Sequence, residues 1–188
     1  MKSCSGIKAL ALQGRVETLF GNLDFSLSYL FLMLTSYPLK IHHPPHVYLD
    51  ETIYFITVHI HDDLPIFSAQ RKSELLNLIA ELFKKYDYKL FTYAILNNHY
   101  HLLLKVLLSK YLSDIFQTLH GSLSYKWNKE DDLQGRIVFQ NYWDYCIRDE
   151  KDFWTHFNYI HQNPIKHGVA KNLEELKNYP YWISTMGK

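Results

Sequence analysis

The chain has 188 residues with 20 Lys+Arg against 19 Asp+Glu, a formal charge of +1, which points to one domain with room for an appendage and excludes a supercharged nucleic-acid tail. Hydrophobic residues make up 47% and aromatics 16%, enough to bury a sizeable core and to exclude disorder. Two cysteines, Cys4 and Cys146, cannot build a disulfide framework or a Cys-rich zinc site, which fits a reducing cytosol.

Residues 1–45 read differently from the rest and end in the breaker cluster His42-His43-Pro44-Pro45. We take 1–45 as an N-terminal extension whose structure the sequence leaves open, and 46–188 as the main domain. The run Leu27 to Leu34 is strongly apolar, but Asp24 and Pro38 bracket a stretch short of the ~20 residues that span a bilayer, so no membrane partner is expected. Glu17 and Asp24 ahead of it argue against a signal peptide. A docking helix and an extension added by a misplaced start codon are both open.

From Ile53 the order βαββαβα emerges. Ile53 to Ile60 is β-branched and aromatic and reads as a strand. Ser68 is a candidate N-cap for a helix whose Leu75, Leu78, Ile79, Leu82 and Tyr86 form one apolar stripe. Arg71, Lys72, Lys84, Lys85 and Lys89 around it, set against Glu74, Glu81 and Asp87, read as a solvated face. Tyr88 to Leu96 and His99 to Leu107 are strands joined by Asn97-Asn98, residues that tolerate the positive φ of a two-residue hairpin. Tyr111 to Trp127 predicts a helix, Ile137-Val138-Phe139 a short strand, and Asp149 to about Gln162 a third helix opened by acidic residues. This is the order of an α+β, ferredoxin-like antiparallel sheet with helices on one face. Fold alone does not name a function.

Two constellations carry chemistry. In Asn98-His99-Tyr100-His101 at a strand start, residues two apart face the same way, so His99 and His101 can share one divalent ion. The plain alternative is a pair of partly exposed histidines at a hairpin end. In the third helix Phe153, Phe157 and Ile160 share a face, whereas Tyr159 lies about 100° from it, beside His156 and Asn163. If the helix survives to Asn163, that amide sits one turn beyond the phenol, although Pro164 biases the preceding residue away from helical angles. An amphipathic tyrosine with Asn163 capping the helix is the plain alternative here. His59-Ile60-His61 is a second pair, whose strand end lies near the start of the His99 strand. His120, His156 and His167 read as helix-surface or cap residues.

These motifs in this order resemble the REP-associated tyrosine transposases, within the single-tyrosine HUH transposases. The resemblance runs from about Ile53 to Ser184. It is carried by the first strand, by Tyr93 to Leu104, by Val138-Phe139-Gln140, by Tyr145-Cys146-Ile147-Arg148-Asp149 and by Tyr159 to Gly168. The family usually has Met-Pro-Asn-His-x-His where this chain has Leu96-Asn97-Asn98-His99-Tyr100-His101, so the proline is missing.

The resemblance implies that 46–188 is a catalytic domain of HUH transposase type, in which His99 and His101 hold Mg2+ or Mn2+ and Tyr159 attacks a DNA phosphate, leaving a 5′-phosphotyrosine and a free 3′-hydroxyl. By family position and helical spacing the third metal ligand is Asn163, with Gln162 and His161 as alternatives. The implied partner is single-stranded or hairpin DNA of the repetitive palindromic kind, with no membrane, in the cytoplasm. Arg148, Lys151, Lys166, His59 and His61 are candidate DNA contacts, and Trp127, Tyr142, Trp143 and Trp182 candidate stacking platforms. Tyr142 and Tyr145 are rival nucleophiles with a weaker motif context. Because the nucleophile helix follows the ligand strand within one short domain, a monomer is expected. Two other functions stay open: a non-catalytic nucleic-acid-binding module on the same fold, and a metal-dependent nuclease that uses water.

Overall fold

The computed structural model describes residues 49–61 and 67–184. The proposed extension 1–45, and the boundary after it, lie outside the described residues. In chain order the elements are β1 (Thr52–His59), α1 (Ala69–Lys85), β2 (Lys89–Ile95), β3 (His99–Val106), a 3-10 turn (Ser109–Tyr111), α2 (Leu112–Glu130), β4 (Trp143–Cys146), α3 (Glu150–Lys166), α4 (Leu173–Lys177) and β5 (Trp182–Ser184). The strands form one antiparallel sheet in the order β4-β1-β3-β2-β5, so the fold is α+β with a ferredoxin-like centre.

Strand residues alternate between two faces, and each face has its own core. On one, Tyr54, Ile56 and Val58 of β1 and Tyr100, Leu102 and Leu104 of β3 pack with Leu75 and Ile79 of α1 and Ile115, Phe116 and Leu119 of α2. On the other, Ile53, Phe55 and Leu103 pack with Phe153, Phe157 and Ile160 of α3. The expectation of helices on one face is therefore corrected: α1 and α2 share a face and α3 takes the opposite one. Right-handed crossovers between parallel strands put α1 and α2 on the same side. Strands β4 and β5 are also parallel, and because the β4-to-β5 crossover runs the same way across the sheet as β1-to-β2 with the strands reversed, the same handedness places α3 on the opposite face.

The helices start where caps allow. Ser68 Oγ accepts from the Arg71 N–H at 3.2 Å to open α1, and an Asp149 carboxylate oxygen accepts from the Asp152 N–H at 2.8 Å to open α3. The third helix continues through Pro164 to Lys166 and gives way to Gly168 at φ +69, the left-handed region in which glycine avoids a Cβ clash. Pro164 lies in the last turn, where it removes one i→i−4 hydrogen bond, to the Ile160 carbonyl.

Three further expectations are corrected. The segment 137–139 is not a strand: Phe139 makes one isolated bridge to Ile60, and Trp143–Cys146 takes the edge place beside β1. Asn97-Asn98 does close a two-residue hairpin, with the Leu96 N–H donating to the His99 carbonyl at 2.8 Å. Neither asparagine has positive φ; among the described residues the non-glycine residues in that region are Glu51, Asp87 and Asp132. The turn is held from outside instead: the Asn97 carbonyl accepts from the Phe67 N–H and that of Asn98 from the Ile60 N–H. Finally, Lys72 is buried rather than solvated, its Nζ 2.7 Å from Asn97 Oδ1 and 3.0 Å from the Tyr179 hydroxyl.

Candidate active site

The register between β1 and β3 pairs His59 with His99 and Thr57 with His101. Residues opposite each other on a ladder point to the same face, so these four side chains project together toward α3. The His99 and His101 rings are 5.0 Å apart, centroid to centroid, and both are buried. From α3 above, Tyr159 brings its ring to 5.2 Å from His101 and 5.8 Å from Phe55. It stays 43% exposed because it lies off the stripe that Phe153, Phe157 and Ile160 bury. One turn further, the buried Asn163 sets its Oδ1 3.1 Å from His99 Nε2. One chain thus supplies both imidazoles, the amide and the phenol.

Each imidazole is oriented from behind. His99 Nδ1 is 2.7 Å from Asn98 Oδ1, and His101 Nδ1 is 2.8 Å from Thr57 Oγ1. Burial, reinforced by the nearby His59 and His167 rings, pushes His99 down to about 4. His101 is pushed down to about 3, first by burial and then by the neighbouring histidines. Both are neutral at pH 7. Neutral His99 carries one ring proton, and its two nitrogens face the side-chain oxygens of Asn98 and Asn163. His101 Nε2 and Asn163 Nδ2 are buried with no hydrogen-bond partner among the described residues.

The other candidate residues fall into groups. His59 is exposed and stacks on His99 at 5.0 Å, whereas His61 is exposed beyond the strand end. Gln162 is exposed, and His161 turns away, 4.1 Å from the Phe157 ring with its Nδ1 2.7 Å from the Phe157 carbonyl; of the three amide or ring alternatives only Asn163 adjoins His99. Lys151 and Lys166 are exposed in the first and last turns of α3, some 10–12 Å along the axis on either side of Tyr159. Arg148 is exposed but spoken for, its Nε 3.3 Å from Asp152 and its guanidinium over the Tyr145 ring. Tyr142 stacks on Phe116, on the far face from His101. Tyr145 lies on the near face but is stacked on His156, with its phenol pushed up by burial and by Asp152. Trp127 is core, which removes it as a platform.

Sequence reasoning missed two participants in the site, and misplaced one histidine of the opposite face. Thr57 is recognisable only once the β1–β3 register is known. His167, expected as a surface cap, does cap α3 but also brings its ring 4.8 Å from His99. His120, expected on a helix surface, is turned inward, its Nε2 2.7 Å from the Tyr100 hydroxyl and its ring stacked 4.4 Å from Phe139.

The family described as "Transposase IS200 like" matches residues 51–163, more than half of the chain. The chain belongs to the IS200-like transposase family. A Haemophilus influenzae protein provisionally named REP-associated tyrosine transposase is 26% identical over 139 residues, covering 69% of this chain and 77% of that protein. A solved REP-associated tyrosine transposase, bound to a REP hairpin, superposes with a TM-score of 0.59 over 76% of this chain and 82% of that one. Its identity is 20%, so that likeness speaks for the fold. The family resemblance drawn from the motifs thus holds, and with it the reading of the chain as a DNA-processing transposase. Among the described residues no helix is long and apolar enough to cross a membrane.

Proposed function

We propose that this transposase is a divalent-metal-dependent DNA transesterase whose nucleophile is Tyr159. The observation that carries the reading is the exposed Tyr159 ring 5.2 Å from a buried imidazole, beside a second imidazole whose Nε2 is 3.1 Å from an amide oxygen. Around a cation with ligands at about 2.1 Å, neighbouring octahedral ligands stand about 3 Å apart, close to the 3.1 Å between His99 Nε2 and Asn163 Oδ1. His101 Nε2, buried without a partner, is the third donor. Two imidazole nitrogens and one carbonyl oxygen suit Mn2+ better than Mg2+, which prefers an all-oxygen shell. Asn163 is our choice of remaining protein ligand, because its Oδ1 adjoins His99 Nε2.

When bound, the cation polarises the scissile phosphate and offsets the charge that builds on the leaving oxygen. The Tyr159 phenol loses its proton to solvent, its oxygen forms a bond to phosphorus, and the bond from phosphorus to the 3′-oxygen breaks. That oxygen takes up a proton as a free 3′-hydroxyl, and the DNA 5′-phosphate stays on Tyr159. One phosphodiester is exchanged for another, so rejoining by the reverse attack needs no nucleotide cofactor. Thr57 and Asn98 hold the imidazoles in register, and the hydrophobic stripe of α3 fixes the height of Tyr159 above them. The substrate we infer is single-stranded or hairpin DNA of repetitive palindromic type, met in the cytoplasm by one chain acting alone, with exposed Lys151, Lys166 and His59 flanking the entry.

The test incubates the protein with end-labelled hairpin DNA bearing a single-stranded flank and Mn2+, then denatures it. A denaturant-resistant adduct that vanishes in Tyr159→Phe and on adding EDTA is expected. A nick without adduct would replace this reading with a water-using nuclease, and binding without cleavage with a non-catalytic module.

A further inference from the structure

Among the described residues, two large aromatic side chains stay out of the core on the α3 face of the sheet: Tyr159 and Trp143, each 43% exposed. Trp143 belongs to the edge strand β4 and pairs with Thr57, which in turn pairs with His101, so one rung of the sheet leads from the imidazole to the indole. Two strand spacings make that about 10 Å. Phe55 forms the floor between the two aromatics, edge-on to Trp143 at 6.1 Å and to Tyr159 at 5.8 Å. On its other side Trp143 stacks on Tyr145 at 5.8 Å, and the Arg148 guanidinium covers the Tyr145 ring. Each neighbour of Trp143 is thereby held by another: Tyr145 by His156 and Arg148, Phe55 by His101 and His156. The indole is a supported ring with one part open, one nucleotide's reach from the phenol.

The indole packs on Phe55 and Tyr145 and still leaves part of its apolar area in water. Stacking an unpaired base covers that area, and every base has a face to offer. We propose that Trp143 is a subsite for the unpaired nucleobase flanking the phosphate that reaches Tyr159, with Tyr145 and Phe55 as its supports. The subsite is sequence-tolerant, because stacking uses the face of a base rather than its edge. It rests on the transesterase reading for its position but not for its measurement, because stacking requires neither metal nor cleavage.

The experiment uses the full chain carrying Tyr159→Phe, in EDTA, and compares two fluorescent probes of equal charge: a twelve-residue oligothymidylate and the same backbone made wholly abasic. The oligothymidylate should bind more tightly, and Trp143→Ala should weaken it by about 5- to 100-fold while leaving the abasic probe unchanged. Trp143→Phe, which keeps a stacking ring, should recover most of the loss and shows that the site still folds. Equal binding of the two probes by the parent chain, or an equal loss on both probes in Trp143→Ala, would overturn the subsite. Absence of a covalent adduct in the separate Mn2+ assay would instead overturn the nucleophile and leave the base preference standing.

Discussion

The two faces of one sheet are built by the same strands to opposite ends. The face under α1 and α2 is closed: its side chains are aliphatic or aromatic, and where a polar pair enters, as at Tyr100 and His120, the two groups bond to each other at 2.7 Å. The face under α3 begins as a core around Phe153 and Phe157 but ends, at the start of β3, in buried groups left without partners, His101 Nε2 and Asn163 Nδ2. A fold tolerates unsatisfied buried polar atoms at a cost of about 1–3 kcal/mol each, and it does so where chemistry will satisfy them. Period-two alternation lets one strand serve both ends, because stability and reactivity are written on alternate residues.

That contrast can be broken at several points. Removing the phenol oxygen with Tyr159→Phe should reduce adduct formation by at least on the order of 10³-fold while changing stability by less than about 0.5 kcal/mol, as read by gel assay and urea melts together. Leu119→Ala on the closed face should do the reverse, costing about 2–5 kcal/mol in urea melts through the cavity it leaves, with adduct formation retained under folding conditions. Mn2+ at a hundred times its dissociation constant should raise stability by about 2.7 kcal/mol. Asn163→Leu should abolish that gain yet cost less than about 1 kcal/mol in EDTA, since it fills the same space without the unpaired amide.

The smallest effect concerns acid. Burial holds His120 down at about 3, so below its ordinary 6.5 the unfolded chain binds a proton that the folded chain refuses. The stability it contributes is whole above pH 6.5 and declines by about 1.4 kcal/mol per pH unit as pH falls toward 3. His120→Gln, which can still accept from Tyr100, should therefore lose about 2 kcal/mol less than the parent between pH 7 and pH 5 in EDTA.

Much of this was legible in the residues. The β-branched run at Ile53–Ile60, the stripe at Leu75, Ile79 and Leu82, and the two strands around Asn97-Asn98 fixed the central βαββ, and the ordered motifs singled out His99, His101, Tyr159 and Asn163 as one set. What escaped was whatever depends on partners distant in sequence. Trp143–Cys146 has mixed, half-buried side chains and becomes a strand only because β1 offers it an edge, whereas the more strand-like Ile137-Val138-Phe139 meets no ladder. Lys72 looks like a surface lysine until the Asn97 turn and Tyr179 close over it. Thr57 has no motif at all, and its role follows from register alone. The side taken by α3 follows from the handedness of the β4-to-β5 crossover, which is recognisable only once those two short edge strands are known.

The most direct measurement is to trap the protein–DNA adduct formed with Mn2+, digest it with trypsin and nuclease, and locate the added nucleotide phosphate by mass spectrometry. The account predicts it on the peptide 152–166, whose one tyrosine is Tyr159. Phosphate on the peptide 137–148, which carries Tyr142 and Tyr145, or DNA cut with no tyrosine modified, would contradict it.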